Sequence, residues 1–126
     1  MNVPDVAPLT KQLSQAQIDA YAEASGDHNP IHVDEAFARA TELGGTIAHG
    51  MLVLAFISEM MTAAFGRAWL ESGKLDVRFR APARPGDTIT ARASAGKHEG
   101  DSLRYQVECV NQSGEQVITG TAQVRT

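Results

Sequence analysis

The residues from Met51 to Phe65 constrain this chain more than any others. Twelve of them are apolar, and only Ser58, Glu59 and Thr62 interrupt the run. A helix over roughly His49 to Phe65 would have almost no polar face, so it has to be surrounded by protein. It is too short and too interrupted to span a membrane, which takes about 20 apolar residues.

The wrapping has to come from the C-terminal half. Leu75, Val77, Phe79 and Ala81 alternate with Asp76, Arg78 and Arg80. A period of two predicts a strand. Pro82 to Asp87 makes a turn, and Ile89, Ala91, Ala93 and Ala95 begin a second alternation. His98-Glu99-Gly100-Asp101 is a hairpin signal. Leu103, Tyr105, Val107 and Cys109 follow, then a turn over 111–114, then Ile118, Gly120, Ala122 and Val124. The pattern predicts an α+β fold in one domain over 1–126: consecutive antiparallel strands, apolar on one face, curved around one buried helix.

Upstream, Leu9 to Leu13 reads as a short strand. Ser14 and Gln17 form a capping box for a helix through Ile18, Tyr21 and Ala22, which Gly26 stops. Pro30 bends the chain and pushes Asn29 toward extended geometry. Asp34 caps a short helix over Glu35 to Glu42, which Gly44-Gly45 ends.

Polar chemistry is concentrated between Tyr21 and Gly50, which hold three of the four histidines: His28, His32 and His49. Ionisable groups packed this densely against a future core point to a functional site. A net charge of −4 disfavours nucleic acid as a partner. One cysteine excludes an internal disulfide and fits a reducing compartment. The N-terminus lacks a basic start followed by an apolar run, so a cytoplasmic, membrane-free protein is expected.

These residues carry a family resemblance. Tyr21-x3-Ser25-Gly26-Asp27-x-Asn29-Pro30-Ile31-His32-x-Asp34 resembles the signature of MaoC-like, (R)-specific enoyl-CoA hydratases. Ile47-Ala48-His49-Gly50-Met51 is similar to the start of that family's central helix. Val77 to Pro82, with Pro85-Gly86-Asp87, is similar to the strand and turn after it. The resemblance implies a hotdog fold, an antiparallel sheet around a long central helix, in a homodimer or higher homo-oligomer. It also implies reversible, stereospecific hydration of trans-2-enoyl-CoA to (R)-3-hydroxyacyl-CoA. The catalytic pair falls on Asp27 and His32, the oxyanion-binding amide on Gly50 and a supporting serine on Ser58.

The residue types suit that chemistry. Adding water at C3 takes a proton from the water and delivers one to C2, and a carboxylate and an imidazole together can do both. A helix N-terminus offers free amides to the thioester oxygen, and glycine lets that oxygen approach. No metal or redox cofactor is required, coenzyme A being part of the substrate. A metal set of His28, Asp34 and His49 with the pair matches no closed ligand spacing, so none is expected.

His49 is read as a structural, hydrogen-bonded residue, Asn29 as fixing the loop, and Met51 as a substrate-binding or supporting residue. Ser58 is read as either supporting the pair or bonding the Leu54 carbonyl. Arg78, Arg80 and Arg84 are candidates for the CoA phosphates. Three alternatives stay open: an acyl-carrier-protein dehydratase, a hotdog thioesterase and a non-catalytic acyl-CoA-binding module.

Overall fold

The computed structural model describes residues 2–126. Five strands form one antiparallel sheet: β1 (Leu9–Gln12), β2 (Lys74–Phe79), β3 (Thr88–Glu99), β4 (Ser102–Val110) and β5 (Gln116–Arg125). Their spatial order is β1-β3-β4-β5-β2, so β1 and β2 are the edges. The alternating pattern predicted β2 to β5, and the Glu99↔Ser102 pairing closes the expected hairpin over Gly100, at φ 64°. The hotdog arrangement follows: the long helix α4 (Gly50–Phe65) lies across one face of the sheet.

The core is the interface between α4 and that face. Val53, Phe56, Ile57, Met60 and Met61 of the helix meet Ile89, Ala91, Val107, Cys109, Ile118 and Val124 of the sheet. Met60 and Met61, 1% and 0% exposed, are therefore core filler. The small residues seen in the strand pattern have a use at Gly120, where a Cβ would sit 2.1 Å from the Asp76 carbonyl oxygen. Only glycine lets β2 come this close to β5.

Two expectations need correction, and one element is additional. The helix is not enclosed: Met51, Ala55, Ala63 and Ala64 stay exposed, because a single sheet covers one side only. Phe79, inward by its alternation, is 55% exposed, since β2 is an edge strand and Phe79 its last residue. A further helix, α5 (Arg67–Ser72), follows Gly66, and its Trp69 is buried in the core.

Cys109 is fully buried, and burial, followed by the neighbouring Glu108 charge, pushes its thiol up to about 12. Thiol reagents at neutral pH are expected to spare Cys109 in the native protein and to label it in urea. Rapid labelling of folded protein would contradict this packing.

No helix among the described residues is long and apolar enough to cross a membrane.

Candidate functional site

The site begins where helix α1 (Gln15–Ser25) stops. The Ser14 capping box starts that helix, and Gly26 ends it at φ 80°, a conformation that suits glycine. A chain of local bonds then shapes the loop. The Asp27 amide donates to Ser25 Oγ, the Asn29 amide to Asp27 Oδ1, and the Ile31 amide to Asn29 Oδ1. Asn29 thereby caps a one-turn helix, α2 (Pro30–Val33). Pro30 starts this turn as well as bending the chain, because the first helical position has no use for an N–H. The turn carries the His32 ring inward to 8% exposure, while Asp27 stays at the rim.

His32 Nδ1 lies 2.8 Å from the Ile47 carbonyl oxygen. That oxygen only accepts, so Nδ1 carries the proton in the neutral ring and Nε2 presents its lone pair. His32 Nε2 is 3.9 Å from Asp27 Oδ2. This is too long for a hydrogen bond, but one water oxygen about 2.8 Å from each could bond to both.

Gly50 is the first residue of α4, and no group among the described residues accepts its amide hydrogen. His49 precedes it as N-cap and offers that terminus no side-chain acceptor. The positive end of the helix is therefore open to a ligand. Gly50 and His32 line one cleft of about 450 Å³, walled by Ile47, Val53, Phe79 and Val117 among others. A Cβ at Gly50 would lie 2.8 Å from the Phe79 ring, so only glycine fits without moving that ring. A mainly apolar cleft lined by His32 and by a free helix amide, with Asp27 beside His32, suits an apolar ligand with a polarised carbonyl.

Several positioning side chains carry no sequence signal. Gln15 Nε2 donates to the His32 carbonyl oxygen at 2.8 Å, and Thr46 Oγ1 donates to Gln15 Oε1 at 2.7 Å. The Thr46 amide in turn donates to Glu35 Oε2. Asp34 caps α3 (Glu35–Arg39), which is shorter than expected because Thr41 Oγ1 donates to the Ala38 carbonyl where a further turn would form.

The Thr46 amide, followed by Arg39, holds the Glu35 carboxyl below its ordinary value of 4.5. A depressed folded value means the contribution to stability is present above the unfolded value and is lost as pH falls through the folded one. Glu35→Gln should therefore lower the melting temperature at pH 7, with the gap closing as pH falls below 4.5. A gap independent of pH would exclude the charge as its cause.

The other candidates are scattered. Ser58 lies about 12 Å along α4 from Gly50. Its Oγ accepts the Trp69 indole N–H at 2.9 Å, so within this chain it is not brought to the pair. Met51 is 58% exposed, and His28 faces outward toward Glu23. Of the three arginines, Arg80 lines the cleft, its Nε donating to Thr119 Oγ1.

Asp27, His32 and His49 offer possible metal-ligand atoms within 4.8 Å of one another. The two imidazoles, however, are stacked with centroids 3.8 Å apart and planes at 26°. Near-parallel rings direct their in-plane lone pairs side by side, whereas one ion about 2.1 Å from each nitrogen needs them to converge.

The sequence and the fold match known proteins over nearly the whole described length. The MaoC-like domain aligns with residues 3–126. This chain belongs to the MaoC-like family. The (R)-specific enoyl-CoA hydratase of Rhodospirillum rubrum is 34% identical over 120 residues, covering 94% of this MaoC-like chain and 83% of its own length. A mitochondrial 3-hydroxyacyl-[acyl-carrier-protein] dehydratase of Arabidopsis thaliana is 37% identical, over 94% of this chain and 72% of its own. An R-hydratase from Pseudomonas aeruginosa, solved unliganded, superposes with a TM-score of 0.84 at 29% identity, covering 100% of this chain and 82% of its own.

Proposed function

We propose that this MaoC-like protein is a hydro-lyase that adds water reversibly across the double bond of a trans-2-enoyl-CoA, forming the (R)-3-hydroxyacyl-CoA. The observation that carries the reading is the cleft shared by His32 and the unpaired Gly50 amide, with Asp27 3.9 Å from His32. The acyl chain lies along the apolar wall. The thioester oxygen takes the Gly50 N–H, drawing electron density from C3. A water held by Asp27 Oδ2 and His32 Nε2 gives up a proton to the pair as its oxygen bonds to C3. The resulting enolate takes a proton from the pair at C2, which returns both residues to their starting state. Such a pair supplies about 10²–10⁴-fold in rate, and no metal or redox cofactor enters the step.

Arg80, at the cleft wall, is the arginine best placed to meet an anionic part of the thioester carrier. The edge strand β2, with exposed Phe79 at its end, is the surface offered to a second copy, giving a homodimer in the cytoplasm.

The reading is tested by turnover of crotonyl-CoA in D₂O with a thiol reagent present. Hydration places one deuterium at C2 and releases no free thiol. Release of coenzyme A would instead make the protein a thioesterase. A second reading, dehydration of a carrier-protein thioester, is favoured by the similarity to the plant mitochondrial dehydratase. It predicts a kcat/KM at least tenfold higher on the carrier-bound substrate than on the CoA form.

A further inference from the structure

His49 is 2% exposed, yet it carries a ring nitrogen, Nδ1, with no hydrogen-bond partner among the described residues. Its other nitrogen, Nε2, lies 2.9 Å from the Asp27 backbone carbonyl. A carbonyl only accepts, so the proton sits on Nε2 and Nδ1 is bare. An aromatic hydrocarbon would fill the slot beside Tyr21 without burying an unpaired nitrogen. The imidazole must therefore be kept for its Nε2–H, its ring face, or both.

Each of these touches a different part of the site. The Nε2–H holds the backbone of Asp27, and the ring stacks on His32 at 3.8 Å. The main chain of His49 is the N-cap of α4, directly before Gly50. Asp27 and His32 sit on separate local structures, the loop after α1 and the one-turn α2, and neither belongs to the helix that offers the amide. We infer that His49 is a positioning residue that fixes the Asp27–His32 pair relative to the Gly50 amide. This rests on the hydratase reading for its catalytic consequence, and the geometry stands by itself.

A misplacement of about 1 Å can lower a rate by about 10². His49→Ala is therefore expected to lower kcat about 10²-fold per folded molecule, with KM changed less than about threefold. His49→Gln retains a donor at similar reach without the ring, and His49→Phe retains the ring without the donor. Each should recover part of the loss. In an Asp27→Asn background, His49→Ala should add almost nothing, because the residue it positions is already disabled. A purely structural His49 predicts otherwise: lower melting temperatures, unchanged kcat per folded molecule, and additive effects with Asp27→Asn.

Histidine and backbone ¹⁵N spectra of the unliganded protein decide the point separately from turnover. The wild type should show an exchange-protected Nε2–H on His49. His49→Ala should move the His32 ring signals and the Asp27–Ile31 amides while leaving those of β3 and β4 in place. An inactive wild type would overturn the hydratase reading and leave these spectra to judge the positioning. Unmoved Asp27 and His32 signals would overturn it.

Discussion

Asp27→Asn and His32→Gln are each expected to lower kcat for hydration by about 10²–10⁴-fold, the range for a positioned acid–base group. Neither change should disturb the fold. Asp27 is at the surface, and Asn keeps the oxygen that accepts the Asn29 amide. Gln at position 32 keeps a donor for the Ile47 carbonyl that holds the ring today. Because both groups contact the same water, the double variant should be little worse than either single one. The check is kcat alongside the melting temperature of all four proteins. Additive losses would mean that the two side chains act in different steps.

The second large effect belongs to Gly50, where donor and space can be separated. Proline at the first helical position is tolerated, and His49, at φ −58° and ψ 134°, already has the conformation a residue before proline requires. Gly50→Pro removes the N–H while the helix start is kept, and like alanine it adds a Cβ against Phe79. Gly50→Ala keeps the N–H and adds a Cβ that displaces Phe79. Loss of one oxyanion donor lowers kcat by about 10²–10³-fold. The proline variant is expected to reach that loss, and the alanine variant to fall short of it. Adding Phe79→Ala relieves the crowding in both variants, so Gly50→Ala should recover while Gly50→Pro keeps the loss that comes from the missing donor. Equal losses in both variants would show that crowding rather than the amide is responsible.

How far the sequence could be read depended on the kind of signal. Strand alternation in β3 to β5 follows from burial on one face, so it was visible without coordinates. The capping residues Ser14 and Asp34 were visible for the same local reason: each accepts from the amide three positions on. The Asp27–His32 pair was read from a motif, and the structure adds the Gly26 turn and the Pro30 helix start that bring the two together. Pro30 shows why element type was harder than element position, since the same ring that breaks a helix interior can open a new turn. The buried supports were invisible. Gln15 reaches His32 across 17 positions, and Thr46 reaches Gln15 across 31, contacts that no local pattern encodes. Ser58 illustrates the converse: a polar residue on an apolar helix invites a catalytic role, and its hydroxyl instead takes the Trp69 indole of a helix the pattern had not shown. The exposed side of α4 and Phe79 escaped for a similar reason. Apolar composition does not say which side of a helix the sheet will cover.

The most direct test of the account follows the ultraviolet absorbance of the conjugated double bond of crotonyl-CoA, with chiral analysis of the product. Wild type and Asp27→Asn are compared at equal folded concentration. The account predicts rapid loss of absorbance by the wild type, formation of the (R)-3-hydroxy product, and slowing of at least about 10²-fold in the variant. Equal rates in the two proteins, or a product of the opposite hand, would contradict it.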